Sequence, residues 1–354
     1  MKNKLKKDDI FKLLSETDFI ERNKIRQKAY SVKQKYVSND VYFRGLIEYS
    51  NICSRNCFYC GVRAENLDVN RYQLSDKEVL KAVDYAWKNK FASIVIQSGE
   101  RRDKKFVEKI DNLLKTIQQN TNNEIGITLS CGEQSEETFR RWFESGAHRY
   151  LLRIETTNEK LFNKIHPVNE EVNFSSRLNS LELIKKSGYQ TGTGVMIGLP
   201  FQTIDDLAED LLFFKKFDID MVGMGPYIEC NNTPLSIHNN LLQPLNERFE
   251  LSLLMISVLR IMMKDINIAS STALQAIHPL GREKGLLAGA NVIMPNITPL
   301  KYRADYLLYQ DKPGINEKCE SVKNRLENNI KQLDENIAYG LWGDSKHFSR
   351  RKKR

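Results

Sequence analysis

The 354-residue chain is poor in several features that would fix its class at once. It has no apolar run long enough for a bilayer. The greasiest stretch, 251–263, is interrupted by Arg260 and falls short of the ~20 residues a membrane helix needs. Its first residues, MKNKLKKDD, lead into no apolar segment, so no secretory leader is expected and the expected location is the cytoplasm. Internal repeats and low-complexity segments are missing, which argues against solenoids and arrays. No Lys/Arg stripe is interleaved with aromatics, so neither nucleic acid nor a membrane is an expected partner despite a net charge of +9. Part of that charge sits in the tail Ser349-Arg350-Arg351-Lys352-Lys353-Arg354, read as a solvated end or else a dock for an acidic partner. Histidine is scarce, five in all, and cysteine numbers six, with three of those six inside eight residues.

What is present is a regular pattern. Hydrophobic residues make up 41% of the chain, enough for a large core. A helical pattern over 8–36 gives way to alternation over 41–49, the first predicted strand. Ser75 and Glu78 have capping-box spacing and open a helix. Further strands are predicted at 92–97, 125–130, 149–154, 191–197, 220–224, 266–270 and 291–294, alternating with helices. Strand–helix alternation means parallel βα units. Eight of them in this length fit an α/β (βα)8 TIM-type barrel, which takes about 250 residues. The expected organisation is an N-terminal helical extension over 1–40, a barrel over 41–310, and a C-terminal helix with a basic tail over 311–354.

The cysteine-rich segment reads Cys53-Ser54-Arg55-Asn56-Cys57-Phe58-Tyr59-Cys60, a C-x3-C-x2-C spacing. In a reducing compartment clustered cysteines serve as metal ligands or catalytic groups rather than disulfides. Iron–sulfur clusters are normally held by four cysteines. Three leave one iron of a [4Fe–4S] cluster open, and the amino and carboxylate groups of S-adenosylmethionine (SAM) suit that position. Reductive cleavage of SAM to a 5′-deoxyadenosyl radical follows as the expected chemistry, with the protein supplying positioning and exclusion of water. A structural zinc site is the competing reading. Zinc takes four ligands, commonly from paired knuckles, whereas Cys131, Cys230 and Cys319 stand alone and the nearest histidine is His148. Cys131 reads as a small buried residue in preference to a thiol near the ligand. The loop follows the first strand, at the barrel mouth where active sites lie.

Polar residues recur at the following strand ends: Gln97-Ser98-Gly99-Glu100, Ser130-Cys131-Gly132-Glu133 and Arg153-Ile154-Glu155-Thr156. Gly99 permits close approach of backbone to a ligand. Carboxylates such as Glu100 and Glu155 suit the ammonium and ribose of SAM, and Arg177 is the candidate fork for its carboxylate. Thr191-Gly192-Thr193-Gly194 lies within a predicted strand and does not fit a dinucleotide fingerprint; a strand edge on which adenine stacks is the better reading.

These residues resemble a known family. The cysteine spacing, with Tyr59 just before the third cysteine, is similar to the signature of the radical SAM superfamily. Arg44-Gly45-Leu46-Ile47-Glu48, Gln97 to Glu100, Tyr150 to Glu155, Gly198-Leu199-Pro200 and Gly289 to Asn296 resemble its HydE-like branch, the [FeFe]-hydrogenase maturases, over about residues 40–310. Biotin synthase and methylornithine synthase share the loop but not this combination. The resemblance implies a (βα)8 barrel with one [4Fe–4S] cluster on Cys53, Cys57 and Cys60. It implies SAM contacts from Tyr59, Gln97, Ser98, Gly99, Glu100, Ser130, Glu155, Arg177 and Met196. An inner cavity would be lined by Arg153, Met221, Ser271, Thr272, Met294, Tyr306 and Tyr309, although Met221 and Met294 equally suit core filling. Ser271 replaces a threonine common in the family and keeps the hydroxyl. The implied substrate is a cysteine-bound iron complex carrying CO and cyanide, on the way to the hydrogenase H-cluster. Implied partners are a GTPase scaffold, a tyrosine-cleaving radical SAM maturase and an external electron donor. Cys319 has no neighbouring cysteines, so one cluster is expected and not two. The alternatives are a methylornithine synthase-like or biotin synthase-like enzyme acting on a small amino acid or thiol, and a non-catalytic iron–sulfur carrier or scaffold.

Overall fold

The computed structural model describes residues 5–169 and 172–353. The helical pattern of 8–36 is two helices, α1 (Lys7–Leu14) and α2 (Phe19–Tyr36). The break is chemical. Asp18 caps α2, accepting from the backbone N–H of Ile20 and Glu21 at 2.9 and 3.0 Å.

Eleven strands of the described chain form one sheet with every pairing parallel. They are β1 (Asp40–Phe43), β2 (Gly45–Ser50), β3 (Ser93–Ser98), β4 (Gly126–Ser130), β5 (Ala147–Leu151), β6 (Gln190–Thr193), β7 (Met196–Ile197), β8 (Met221–Pro226), β9 (Asn267–Ser270), β10 (Val292–Ile293) and β11 (Asn336–Ile337). β1 and β2 are halves of one strand bent at Arg44, and β6 and β7 run in line beside β8. The order β2-β3-β4-β5-β6-β8-β9-β10-β1 closes on itself, because Arg44 N–H donates to Ile293 O and Leu46 N–H to Pro295 O at 3.0 and 2.8 Å. This is the expected eight-position barrel.

The helices that cover it are α3 (Asp76–Lys88), α4 (Lys104–Asn120), α5 (Glu136–Glu144), α6 (Glu159–Ile165), α7 (Phe174–Lys186), α8 (Ile204–Phe217), α9 (Leu245–Met262), α10 (Thr272–Ile277), α11 (Gly281–Leu287), α12 (Leu300–Arg303), α13 (Cys319–Lys331) and α14 (Lys346–Lys352). The Ser75–Glu78 capping box is present at α3. No helix is long and apolar enough to cross a membrane among the described residues.

Strand alternation sorts the side chains. Ile47, Ile96 and Leu129 are fully buried in the core beneath the helices. Their neighbours Glu48, Gln97 and Ser130, paired in register across three strands, face the lumen at its C-terminal end. The glycines of 191–194 serve packing within the barrel. A side chain at Gly194 would lie 1.8 Å from Gly223 O, and one at Gly192 would lie 2.7 Å from the Met221 methyl. On their Cβ side, Gly192 and Gly194 are therefore closed off by β5 and β8.

The basic tail is anchored at Arg350 and Arg351, while Ser349, Lys352 and Lys353 are exposed and Arg354 lies outside the described residues. The segment after β11 crosses the N-terminal end of the barrel. Arg149, fully buried, donates to Asp344 at 2.6 Å, to Trp342 O at 3.1 Å and to Thr128 Oγ1 at 3.1 Å. Arg44 and Asn267 both donate to Gly343 O, at 3.0 and 2.8 Å. α14 then docks by charge. His347 meets Asp218 and Asp265 at 2.6 and 3.2 Å, Arg350 meets Asp265 at 2.7 Å, and Arg351 meets Asp220 at 2.8 Å. The carboxylates at the starts of the strands supply the attraction that composition alone did not reveal.

Candidate active site

The cysteine loop leaves β2 at the C-terminal end of the barrel and is held by loops from around the rim. Ser54 N–H and Oγ donate to Glu100 O at 2.8 and 2.9 Å. Phe58 N–H donates to Ile165 O at 3.0 Å, Leu235 N–H to Phe58 O at 3.0 Å, and Gly61 N–H to Leu308 O at 3.1 Å. Arg71 folds under the loop and donates to the carbonyls of Asn51, Val62, Arg63 and Asn66. Gly99 is required by this approach: a Cβ there would lie 2.4 Å from Ile52 O and 2.8 Å from Cys53 Cβ.

The three thiols suit an iron–sulfur cluster. Backbone N–H groups of Arg55 and Glu100 both point at Cys53 Sγ from 3.3 Å, which favours a thiolate there. Burial pushes the Cys57 thiol up to about 12, and moves Cys53 and Cys60 the same way. Cys53 and Cys57 raise Cys60 further, a sign that the three groups share one neighbourhood. Thiols so disposed stay protonated until a metal takes the proton's place. No group of three His, Cys, Asp or Glu side chains is arranged for a metal ion among the described residues. The case for a cluster therefore rests on the donor set and its backbone N–H groups rather than on a preformed cage. Cys131 is fully buried in the core, matching the small-buried-residue reading. Cys319 accepts from Arg303 at 3.1 Å.

Beside the thiols lies a network of charges. Glu100 Oε1 accepts from Arg55 Nε at 2.6 Å. Glu133, 1% exposed, accepts from Arg177 Nε at 2.7 Å and from Arg102 Nη2 at 3.1 Å. Arg177 also donates to Arg153 O at 2.5 Å. Burial works against its charge, but Glu133 and then Glu100 raise its pKa overall. Two donors of the expected carboxylate fork are thus engaged by the protein. Arg153 turns to Glu155, Nε to Oε2 at 3.0 Å. Glu155 itself has φ +67, a left-handed conformation that is costly for a residue with a side chain and collects at functional sites. Its carbonyl accepts from Met196 N–H at 3.1 Å, which joins these two expected SAM contacts.

Tyr59 and Met196 pack on a small apolar cluster of Leu161, Ile165, Leu199, Tyr227 and Leu235 beside the loop. Tyr59 is fixed by His166. The imidazole stacks on Phe162 at 4.0 Å, and its Nδ1 lies 3.0 Å from Phe162 O. A carbonyl only accepts, so Nδ1 carries the proton and Nε2 accepts from Tyr59 Oη at 3.1 Å. Burial, and then Arg177, hold His166 neutral, with a pKa lowered to about 3. Gln97 and Ser130 sit opposite each other on β3 and β4, and Ser98 Oγ reaches Ser50 O at 3.4 Å.

The residues expected to line one inner cavity are divided. Met221 and Met294 line a cavity of about 30 Å³ with Arg44, Thr128, Leu151 and Asn267. Thr272 borders a second, about 20 Å³, with Gln275, Arg282 and Lys312. Tyr306 is 2% exposed, and its carbonyl accepts from Lys312 at 2.8 Å. Tyr309 lies within electrostatic reach of Arg282, Glu48 and Arg153. Ser271 Oγ packs against Gly225. A wider groove of about 810 Å³ lies on the outer flank, between Leu5, Thr157 and α8, and no cysteine-loop residue lines it.

Sequence reasoning missed Arg55, Glu133, His166, Arg282 and the Glu48–Lys312 ion pair. Glu133 did carry a signal, since it ends the same strand-end segment as Ser130. The others gave none, because their partners are distant in the chain.

Comparison with known proteins agrees with this geometry. The model of the radical SAM superfamily matches residues 47–214. The [FeFe] hydrogenase maturase subunit HydE of Thermotoga maritima is 43% identical over 294 residues, covering 82% of this chain and 80% of that one. The 3-methylornithine synthase of Methanosarcina acetivorans is 29% identical over 329 residues, covering 91% and 89%. The crystal structure of a methylornithine synthase superposes with a TM-score of 0.79 at 22% identity, covering 96% of each chain, which speaks for the fold alone. With the thiol loop at the mouth of a parallel barrel and this relative across four-fifths of its length, the chain is a radical SAM enzyme and belongs to the HydE-like branch of that superfamily.

Proposed function

We propose that this enzyme acts in the maturation of [FeFe] hydrogenase, on a cysteine-bound iron complex carrying CO and cyanide. The observation that carries the reading is 43% identity to a HydE maturase over 82% of the chain. In this reading Cys53, Cys57 and Cys60 hold one [4Fe–4S] cluster, which with SAM supplies reductive cleavage to a 5′-deoxyadenosyl radical. Tyr59 and Met196 offer an apolar wall beside the loop that suits adenine. The rim residues Gln97, Ser98, Ser130 and Glu155 suit the polar parts of SAM, and Gly99 keeps the loop close to β3. Arg177, held by Glu133, sets a positive charge where a carboxylate is to be received. In this reading Arg153, Ser271, Thr272, Tyr306 and Tyr309 contact the substrate, and Met221 and Met294 supply an apolar wall to one of the two spaces it draws on. The low polarity of that wall favours exclusion of water around a radical. The partners in this reading are a GTPase scaffold, a tyrosine-cleaving radical SAM maturase and an external electron donor, in the cytoplasm.

The test is anaerobic reconstitution with iron and sulfide, followed by SAM and dithionite. About four irons per chain and formation of 5′-deoxyadenosine are expected. About eight irons would defeat the single-cluster reading. Cys57→Ala is expected to remove the cluster signal in electron paramagnetic resonance together with SAM cleavage. Hydrogenase activation in a maturation mixture lacking its HydE component then tests the pathway assignment, and failure to activate sinks it. Formation of 3-methylornithine from an amino-acid substrate would instead favour the second reading, supported by 29% identity to a 3-methylornithine synthase over 91% of the chain.

A further inference from the structure

The end of α6 clasps the cysteine loop between its second and third cysteines. Ile165 O accepts from Phe58 N–H at 3.0 Å, and the next residue, His166, meets the Tyr59 hydroxyl with Nε2 at 3.1 Å. His166 is 1% exposed, and its ring stacks on Phe162 with centroids 4.0 Å apart at 28°. Tyr59 meets the same imidazole edge-on at 5.3 Å. Stacking on one side and Tyr59 on the other leave the imidazole a single orientation.

The hydrogen bonds through this ring run one way. Phe162 O can only accept, so Nδ1 holds the imidazole proton and Nε2 is left as an acceptor. Burial, and then Arg177, work against a second proton on the ring. The phenol of Tyr59 has one proton, and it is the group of the pair that can donate. Its O–H therefore points at His166. Tyr59 also stands beside Cys57. After burial, Cys57 is the strongest influence on Tyr59, and the Tyr59 hydroxyl is within hydrogen-bonding reach of the Cys57 sulfur. Without an acceptor at His166, the phenol is free to turn its proton onto that sulfur.

We propose that His166 is a positioning residue that holds the Tyr59 proton away from Cys57 Sγ, and so keeps the cluster of this loop a strong reductant. Hydrogen bonds to ligand sulfur set the potential of an iron–sulfur cluster, because a donor stabilises the negative charge added on reduction. Cys53 Sγ already receives two backbone N–H groups, from Arg55 and Glu100, each at 3.3 Å. A further donor at Cys57 would stabilise the reduced state and weaken its drive to cleave SAM. The inference rests on the reading that Cys53, Cys57 and Cys60 hold the cluster. It adds to that reading a residue outside the loop that tunes one of the three ligands.

The experiment is an anaerobic redox titration of the cluster-loaded protein without SAM, read by electron paramagnetic resonance of the reduced cluster. A hydrogen bond to a charged group is worth about tenfold in an equilibrium. His166→Leu should therefore move the midpoint to a less negative value by about 60 mV, the one-electron equivalent of a tenfold change. His166→Gln, whose amide oxygen still accepts from the phenol, should keep the wild-type potential. The double variant His166→Leu with Tyr59→Phe should return to that potential, because the phenol that carries the effect is gone. Iron content and thermal midpoint report whether each variant is folded and loaded. Where His166→Leu fails to load, His166→Phe takes its place, since it keeps the stacked ring and loses the acceptor. Wild type gives a reading without any variant: nitrogen-15 spectra of its histidines, assigned by difference against His166→Gln, should show His166 as the neutral Nδ1–H tautomer. An Nε2–H tautomer overturns the proposal, as does an unchanged potential in the loaded His166 variants that lack an acceptor, or a shift that survives in the double variant. If wild type binds no iron, the cluster reading itself fails. If it loads and the potentials coincide, the cluster stands and the role of His166 is lost.

Discussion

Glu133 gives the sharpest test of the charge network beside the cysteine loop. It is 1% exposed and receives Arg177 Nε at 2.7 Å, with Arg102 Nη2 at 3.1 Å and Arg55 Nη2 at 3.6 Å. Glu133→Gln keeps the shape and removes the charge. Arg177 is itself buried, so solvent repairs little of the loss. Breaking a buried pair by removing one partner costs about 3–5 kcal/mol. Glu100 remains among the charges acting on Arg177, so the lower end, about 3 kcal/mol, is expected. Unfolding entropy for a chain of this length is roughly 0.7 kcal/mol/K, which makes the thermal midpoint fall by about 4 °C. The functional effect is on SAM. An Arg177 no longer held at Nε loses the geometry for a carboxylate, and KM for SAM should rise about tenfold, the equivalent of ~1.4 kcal/mol, with kcat changed far less. The assay is 5′-deoxyadenosine formation against SAM concentration in reconstituted enzyme, with Glu137→Gln as the surface control. A Glu133→Gln enzyme with wild-type melting and wild-type KM would falsify the positioning role of Glu133.

Other perturbations have equally definite outcomes. Gly99→Ala forces a methyl against Ile52 O at 2.4 Å and Cys53 Cβ at 2.8 Å, so iron content should drop by half or more while the barrel stays folded by circular dichroism; full iron loading would contradict the close approach. Asp344→Asn removes the carboxylate from buried Arg149; because Asp344 is 39% exposed, water offsets part of the loss and about 1–2 kcal/mol is expected in urea unfolding. The gap between that variant and wild type should hold from neutral pH down to the ordinary aspartate range. It should narrow only below that range, because Asp344 has its pKa depressed, against burial, by His148 and Arg149. His347 titrates in the opposite sense. Asp265, against burial, and then Asp218 raise its pKa, so its contribution is complete below the unfolded histidine pKa and is lost as pH rises through the folded one. His347→Gln should therefore cost stability at acidic pH and lose that cost only as pH rises through the raised folded-state pKa, and a cost that persists at alkaline pH would contradict the ion-pair account.

Much of the fold was legible because it is written in local signals. The eight strand positions each announced themselves by alternation or by an apolar run between helices, and Ser75–Glu78 marked its helix start to the residue. The cysteine loop was legible for the same reason, since its three thiols share one short segment. What was not legible depends on partners far apart in the chain. Glu48 meets Lys312 across 264 residues and Tyr59 meets His166 across 107. No periodicity encodes either contact. The anchoring of Arg350 and Arg351 was not legible because the carboxylates that face them are far away in the chain. Asp218 and Asp220 precede β8 and Asp265 precedes β9, so they come together only when those two strands pair. Of the residues expected in one inner cavity, Met221 and Met294 border one small space and Thr272 another.

The closure of the barrel's N-terminal end bears on the chemistry at its other end. Gly343 is where the strap turns. Its φ is +66, and a Cβ there would lie 2.4 Å from the Tyr42 ring, so only glycine allows its carbonyl to receive both Arg44 and Asn267. Arg44 also donates to Met221 Sδ at 3.2 Å, so the strap reaches the wall of the inner cavity through a single side chain. Gly343→Ala should push the strap outward, leave Arg44 with water as its partner, and wet the cavity lined by Met221 and Met294. A wet lumen exposes a radical to quenching. The expected result is faster formation of 5′-deoxyadenosine without turnover of substrate, with the thiol loop and its iron content unchanged. Parallel loss of iron and activity would show that the substitution unfolds the barrel as a whole. Unchanged coupling in a folded variant would show that the bottom of the barrel does not guard the chemistry at its mouth.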